Sequence, residues 1–334
     1  MTRTKRVVSV LAASALVAAT AAGAQVAGLS GTLIVTNKSA STATIIDVAS
    51  GRTLAQLPTG AGPHEVVISR DGRHAVVTDY GGATRRTLTV IDVPALKIAR
   101  TIDLGPYTAP HGIAFLPGDT IVAVTSEATR NVVLADIVRG DFVAAIGTQG
   151  NGSHMVGVTG DGSKAYTGNM GSSTVSELDL RTRAFTRTWE VPPQPEAINV
   201  TADGKEVWVG SNSTGKVSVI DVATGAVTTA AEGVAWPYRV AYTPDMVTVI
   251  IPDMRNEEVR FLERASRREL GRIALPGAGP QGIVITPDGR YAFLSLSRQA
   301  KVVVIDIRAR AIVREVLAGE TPDGVAYSTR VIAR

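Results

Sequence analysis

Pro195-Glu196-Ala197-Ile198-Asn199-Val200-Thr201-Ala202-Asp203-Gly204-Lys205-Glu206-Val207-Trp208-Val209-Gly210 is the stretch whose reading decides the fold. A short apolar run leads to the turn Ala202-Asp203-Gly204, and a second run follows at 207–210. A polar loop then leads to a third run ending Val219-Ile220-Asp221. A fourth run closes the unit, clearest at residues 312–317. Short β-branched runs bounded by Asp-Gly and Pro read as strands, and outside the N-terminal leader no window sustains a helical period.

The same order of parts recurs along the chain. Units begin at Pro63-His64-Glu65-Val66, Pro110-His111-Gly112-Ile113, Ser153-His154-Met155-Val156 and Pro195-Glu196-Ala197-Ile198. They continue at Pro237-Tyr238-Arg239-Val240, Pro280-Gln281-Gly282-Ile283 and Pro322-Asp323-Gly324-Val325, with spacings of 47, 43, 42, 42, 43 and 42 residues. Four strands per period of about 42 residues, arranged radially, is a blade of a β-propeller. The fold class is therefore all-β, a seven-bladed propeller formed as one domain over residues 25–334. The last unit supplies one strand, at 324–328, and residues 33–37, 44–48 and 53–57 supply three. Together they make blade seven and close the ring, which removes free sheet edges. The fifth unit departs most, with Phe261-Leu262-Glu263 in place of Val-Ile-Asp and Met246 in place of the turn glycine.

The second strands read Ile34-Val35-Thr36-Asn37, Val76-Val77-Thr78-Asp79 and Tyr166-Thr167-Gly168-Asn169. These resemble the Tyr-Val-Thr-Asn signature of YVTN-type propeller repeats across residues 31–329. The resemblance implies an exported seven-bladed protein of the YncE type, for which DNA binding has been proposed. More distant propellers are lactonases, lyases or haem enzymes, and a propeller does not determine its chemistry.

Residues 1–24 read as a secretory signal peptide. Arg3, Lys5 and Arg6 precede an uncharged apolar run at 7–19, and Ala22-Gly23-Ala24 offers a small-residue cleavage site. The run is too short to span a bilayer and no Cys follows it, so no membrane or lipid anchor is expected. The alanine-rich leader suggests a bacterial protein, periplasmic or secreted. Removing its three basic residues from 34 leaves 31 against 30 acidic ones. A nearly neutral body with 4% aromatic residues lacks the basic groove and stacking rings of a single-strand binder, which argues against nucleic acid. The absence of cysteine excludes disulfide scaffolds, thiolate metal sites and cysteine nucleophiles.

In a propeller the first strand of each blade lines the central channel. The residue after the repeat's proline stands at the channel mouth. In blade order that column reads His64, His111, His154, Glu196, Tyr238, Gln281 and Asp323. Three of the protein's four histidines thus fall on consecutive blades. Converging imidazoles on rigid strands suit a divalent metal ion with open coordination positions, and N and O donors leave Zn²⁺, Fe²⁺, Cu²⁺, Ni²⁺ or Mn²⁺ open. Histidines that line a metal-free pocket, or merely cap loops, are the other readings.

Two functional classes follow. One is a metal-dependent hydrolase or lyase on a small molecule, with an oxygen-using iron or copper enzyme as a variant. Its metal ligands would be His64, His111 and His154. Glu196 would move a proton or serve as a fourth ligand, and Tyr238 would act from the opposite wall. Gln281, Asp323, Lys38 and Arg298 would bind substrate. The other class is a non-catalytic binding protein: a metal carrier, a ligand sensor, or a module that binds nucleic acid or protein.

Overall fold

Alternation along each strand builds the core. In the strand Thr32–Asn37, Leu33 and Val35 point to one side and Ile34 to the other, as the period of two requires. Leu33, Val35 and Ile46 pack against Phe293, Val302 and Val304 of the preceding blade. Ile34 and Ile45 pack against Val77 and Ile91 of the following one. Each interface between blades is such an apolar layer, and the core is distributed around the ring rather than gathered at one centre.

The structure, a computed structural model, describes Val26, residues 28–83 and residues 85–332. The expected leader at 1–24 lies outside the described residues. Those described form 28 strands in seven antiparallel four-stranded sheets, the blades of one ring. Blade seven joins Pro322–Ser328 to Thr32–Asn37, with Leu33 opposite Tyr327 and Val35 opposite Val325. No helix among the described residues is long and apolar enough to cross a membrane.

The repeated polar residues hold turns and neighbouring strands. In the turn after the first strand, Thr201 donates to Asp203 Oδ1 at 2.7 Å, and Thr159 does so to Asp161 at 2.7 Å. The Asp residues that end third strands cap the next turn, as Asp136 does by accepting from the Val138 and Arg139 amides. Asn37, at the end of the Ile-Val-Thr-Asn run, donates to Thr42 and Thr44 and accepts from the Gly319 amide. Its threonine neighbour reaches the next blade: Thr36 donates to the His64 carbonyl at 2.8 Å. Thr125 does the same to His154 at 2.6 Å, and Ser295 to Asp323 at 2.6 Å.

Those clips act where the inner strands bulge. The pairing of inner and second strands shifts register between Pro63 and Val66, between Pro110 and Ile113, and between Ser153 and Val156. A bulge re-aims side chains, and here it turns the residue after the proline toward the channel. The inner strands also press together: a Cβ at Gly112 would lie 2.6 Å from Met155 Cα, so only glycine fits. Blade five is the exception. Its inner strand is only Ala241–Tyr242 plus a bridge at Pro237, and here it is Arg239 Nη1 that donates to the Tyr238 carbonyl, at 2.6 Å.

Candidate functional site at the channel mouth

The bulges bring the three histidines together. His64 and His111 have ring centroids 5.0 Å apart, and His111 and His154 are 3.7 Å apart with the rings tilted by 31°. His64 Nδ1 bonds the Gly62 carbonyl at 2.8 Å, and His154 Nδ1 bonds Glu127 Oε2 at 3.0 Å. His111 is 2% exposed, and its Nδ1 is buried without a partner. Burial, reinforced by the neighbouring imidazoles, pushes His111 well below the usual histidine range and keeps it neutral. Burial also lowers His64, against the opposing pull of Asp323.

Two residues from second-to-third-strand loops complete this wall. Tyr80 packs its ring 4.4 Å from His64 and 5.1 Å from His111, edge-on to the latter, and donates to Glu127 at 3.2 Å. Burial and the Glu127 carboxylate push the Tyr80 phenol up to about 12. Burial is the largest influence on Glu127 and would raise it, but the hydrogen bond and charge of His154 and the Tyr80 hydrogen bond together outweigh it and hold the carboxyl below its ordinary range.

The rest of the column forms the facing wall. Glu196 Oε2 accepts from Asn212 Nδ2 and, at 2.8 Å, from Trp236 Nε1. Tyr238 is buried and donates to Asp323 Oδ1 at 3.0 Å; burial and that carboxylate raise the phenol well above its ordinary value. Lys38 Nζ lies 3.1 Å from Asp323 Oδ2. Gln281 donates to Met254 Sδ at 3.6 Å. Lys38, Gln281 and Arg298 line one open groove of about 680 Å³ on this face, but Arg298 is paired with Glu257 rather than turned toward Asp323.

One place further along the inner strands, the channel is plugged. Glu65 and Arg239, on blades one and five, form a buried ion pair across it, and the Arg239 guanidinium lies 4.3 Å over the Tyr238 ring. Burial raises Glu65, with Arg239 opposing, and around Arg239 the burial penalty is outweighed by Glu65, Tyr238, Asp323 and Glu196 together, which raise its affinity for its proton. Beyond the plug lies a cavity of about 480 Å³ with mixed polar and apolar walls, Ile113, Val156, Ile283 and Asn199 among them. The column Glu65, Gly112, Met155, Ala197, Arg239, Gly282 and Gly324 could have revealed this pair, since one acid and one base stand among mostly small residues.

Fold and mouth together define a seven-bladed propeller with an imidazole wall facing a carboxylate and amide wall across one end of its channel. The sequence profile of the YncE-like β-propellers matches residues 7–120 and 121–246, and the chain belongs to that family. No curated protein sequence matches the chain. Among solved structures, it is similar to hydrazine synthase of Kuenenia stuttgartiensis, at 20% identity and a TM-score of 0.72, covering 83% of this chain and 92% of that one. A functionally unknown protein from Desulfotomaculum acetoxidans is similar at 14% identity and a TM-score of 0.74, covering 90% and 100%. A candidate 6-phosphogluconolactonase of Bacteroides fragilis is similar at 14% and 0.72, covering 90% and 99%. At these identities the likeness establishes the fold alone, and the neighbours' functions differ.

Proposed function

We propose that the mouth binds one divalent metal ion through His64, His111 and His154, and that the protein is an exported hydrolase or lyase acting on a small molecule. The observation that carries this reading is the hydrogen bonding of the three imidazoles. His64 and His154 have Nδ1 engaged by a backbone carbonyl and a carboxylate, the outer partners that fix a ligating imidazole and leave Nε2 free. His111 keeps a buried nitrogen with no protein partner. As they stand, no three His, Asp or Glu side chains among the described residues are arranged to hold an ion. The donor set fits a borderline divalent cation, and the stacked His111 and His154 rings must turn apart to receive it.

A divalent ion bound there supplies Lewis acidity toward a substrate oxygen or a water molecule. The chain's own residues supply the rest. Glu196, held through Oε2 by Asn212 and Trp236, keeps Oε1 available to take or return a proton. Tyr238 donates to one oxygen of Asp323 and Lys38 pairs with its charge, and Asp323 with Gln281 positions substrate on the facing wall. The ring-on-ring packing of His111 against His154 favours a second reading, a metal-free imidazole pocket in a non-catalytic binding protein.

Elemental analysis of purified protein, followed by assays on esters, lactones and lyase substrates, separates the two. The first reading expects about one ion per chain. It expects Glu196→Gln to keep the ion yet lose ~10²-fold or more in turnover, and His111→Ala to lose both. A metal-free protein that takes up none of the five candidate ions, or full activity in Glu196→Gln, contradicts it.

A further inference from the structure

The wall that faces the histidines is short of hydrogen-bond donors. Asn212 is 6% exposed. Because the Glu196 carboxylate can only accept, the Asn212 amide nitrogen must face it, which leaves Asn212 Oδ1 buried and unpartnered. Gln281, 3% exposed, directs its amide nitrogen to the Met254 sulfur, also an acceptor, and its Oε1 is likewise buried and unpartnered. Glu196 has both its protein donors on Oε2, and Oε1 has none. A buried acceptor without a donor costs about 1–3 kcal/mol, which a ligand bearing donors recovers. Charge points the same way: Glu127, Glu196 and Asp323 bring three carboxylates to the mouth, with Lys38 beside Asp323 and Arg255 over the Trp236 ring, while Glu65 and Arg239 cancel one another.

We propose that the molecule taken by this mouth is a small primary amine carrying a second hydrogen-bond donor. Its ammonium group is received by Glu196 and Asn212, and Gln281 accepts from the second donor. This rests on reading the mouth as a ligand site, and it adds the substrate class. An ammonium group brings three donors and a compensating charge, and charge-assisted bonds are roughly twice as strong as neutral ones. A neutral diol brings donors without charge. A carboxylate brings acceptors and like charge to a wall that already has both in excess.

Three probes of nearly equal size test it: ethanolamine, ethylene glycol and glycolate, titrated calorimetrically into the purified protein as isolated and after chelator treatment. In the chelated protein, where glycolate has no metal to bind, ethanolamine is expected to bind at least about tenfold more tightly than either competitor. Glu196→Gln and Asn212→Leu are each expected to weaken it about tenfold or more, and Gln281→Met to weaken ethanolamine more than propylamine, which lacks the second donor. Melting curves confirm that each variant is folded, and Glu196→Gln, being isosteric, keeps the test usable if the others are not. Binding of none of the three probes, preference for glycolate or ethylene glycol, or wild-type affinity in Glu196→Gln overturns the proposal. Ethanolamine binding to a protein that takes up no metal would sink the metal reading and leave this one standing. Metal uptake without ethanolamine binding would do the reverse.

Discussion

Asp79 shows how one atom's difference within the repeat becomes a measurable property. It occupies the place that Asn37 and Asn169 hold in their blades, and it receives Gly60, Thr87 and Thr89 as donors. Burial raises its carboxyl from 3.8 to about 6, although those donors oppose the shift. A raised folded pKa means that its contribution to stability is fully present below about pH 3.8 and is lost as pH rises through about 6. The shift corresponds to about 3 kcal/mol at pH 7. Asp79→Asn, which can copy the bonds of Asn37, should match wild type at pH 3.5 and unfold at higher denaturant concentration at pH 7.5. Equal stability at both pH values would refute the assignment. Glu127 acts on the site itself. Glu127→Gln should weaken metal affinity by roughly 10–100-fold, read by chelator competition, because it loosens the His154 imidazole. The loops between second and third strands, Tyr80 and Glu127 among their residues, read in sequence as a second ring around the mouth, but sequence did not show which of those residues reach the histidines. Glu127 and Tyr80 sit in loops whose residues look like ordinary solvated turns until the ring brings blades one, two and three together.

At the scale of the element, the turn between first and second strands was the most legible feature, because its Asp-Gly pair recurs and has a physical reason. Gly72, Gly162, Gly204 and Gly289 all have φ near +70°, where glycine meets no Cβ penalty. Met246 holds the same place in blade five at φ +58°. Met246→Gly should therefore stabilise the protein by about 1 kcal/mol, measured by chemical denaturation, since left-handed backbone costs a non-glycine residue about that much. No gain would mean that the Met246 side chain contributes contacts that offset its backbone strain. The interrupted inner strand of this blade was foreshadowed by its missing glycine and altered third strand. The turn of Arg239 into the channel beside it was not, because Arg239 meets a partner 174 residues away.

The whole molecule is tied across its centre as well as around its rim. The periodicity made the ring, the seven-blade count and the closure of Pro322–Ser328 on Thr32–Asn37 readable in advance. The Glu65–Arg239 plug was signalled only by one acid and one base sharing a column of mostly small residues, and nothing local to either blade shows that the two meet. Arg239→Met alone should cost about 3–5 kcal/mol, because it strands a buried carboxylate, and adding Glu65→Leu should recover most of that loss. Equal costs for the single and double variants would show that the pair is not coupled. The histidine column was legible because three of four histidines share one phase of the repeat, and the structure places their rings in contact. What that contact is for decides the account. X-ray absorption at the metal edge of the purified protein is the most direct test. The account predicts about one ion per chain with three imidazole nitrogens at about 2.0–2.2 Å, and loss of that signature when His64, His111 and His154 are replaced together. An ion with only oxygen neighbours, or an imidazole signature unchanged in the triple variant, would contradict it.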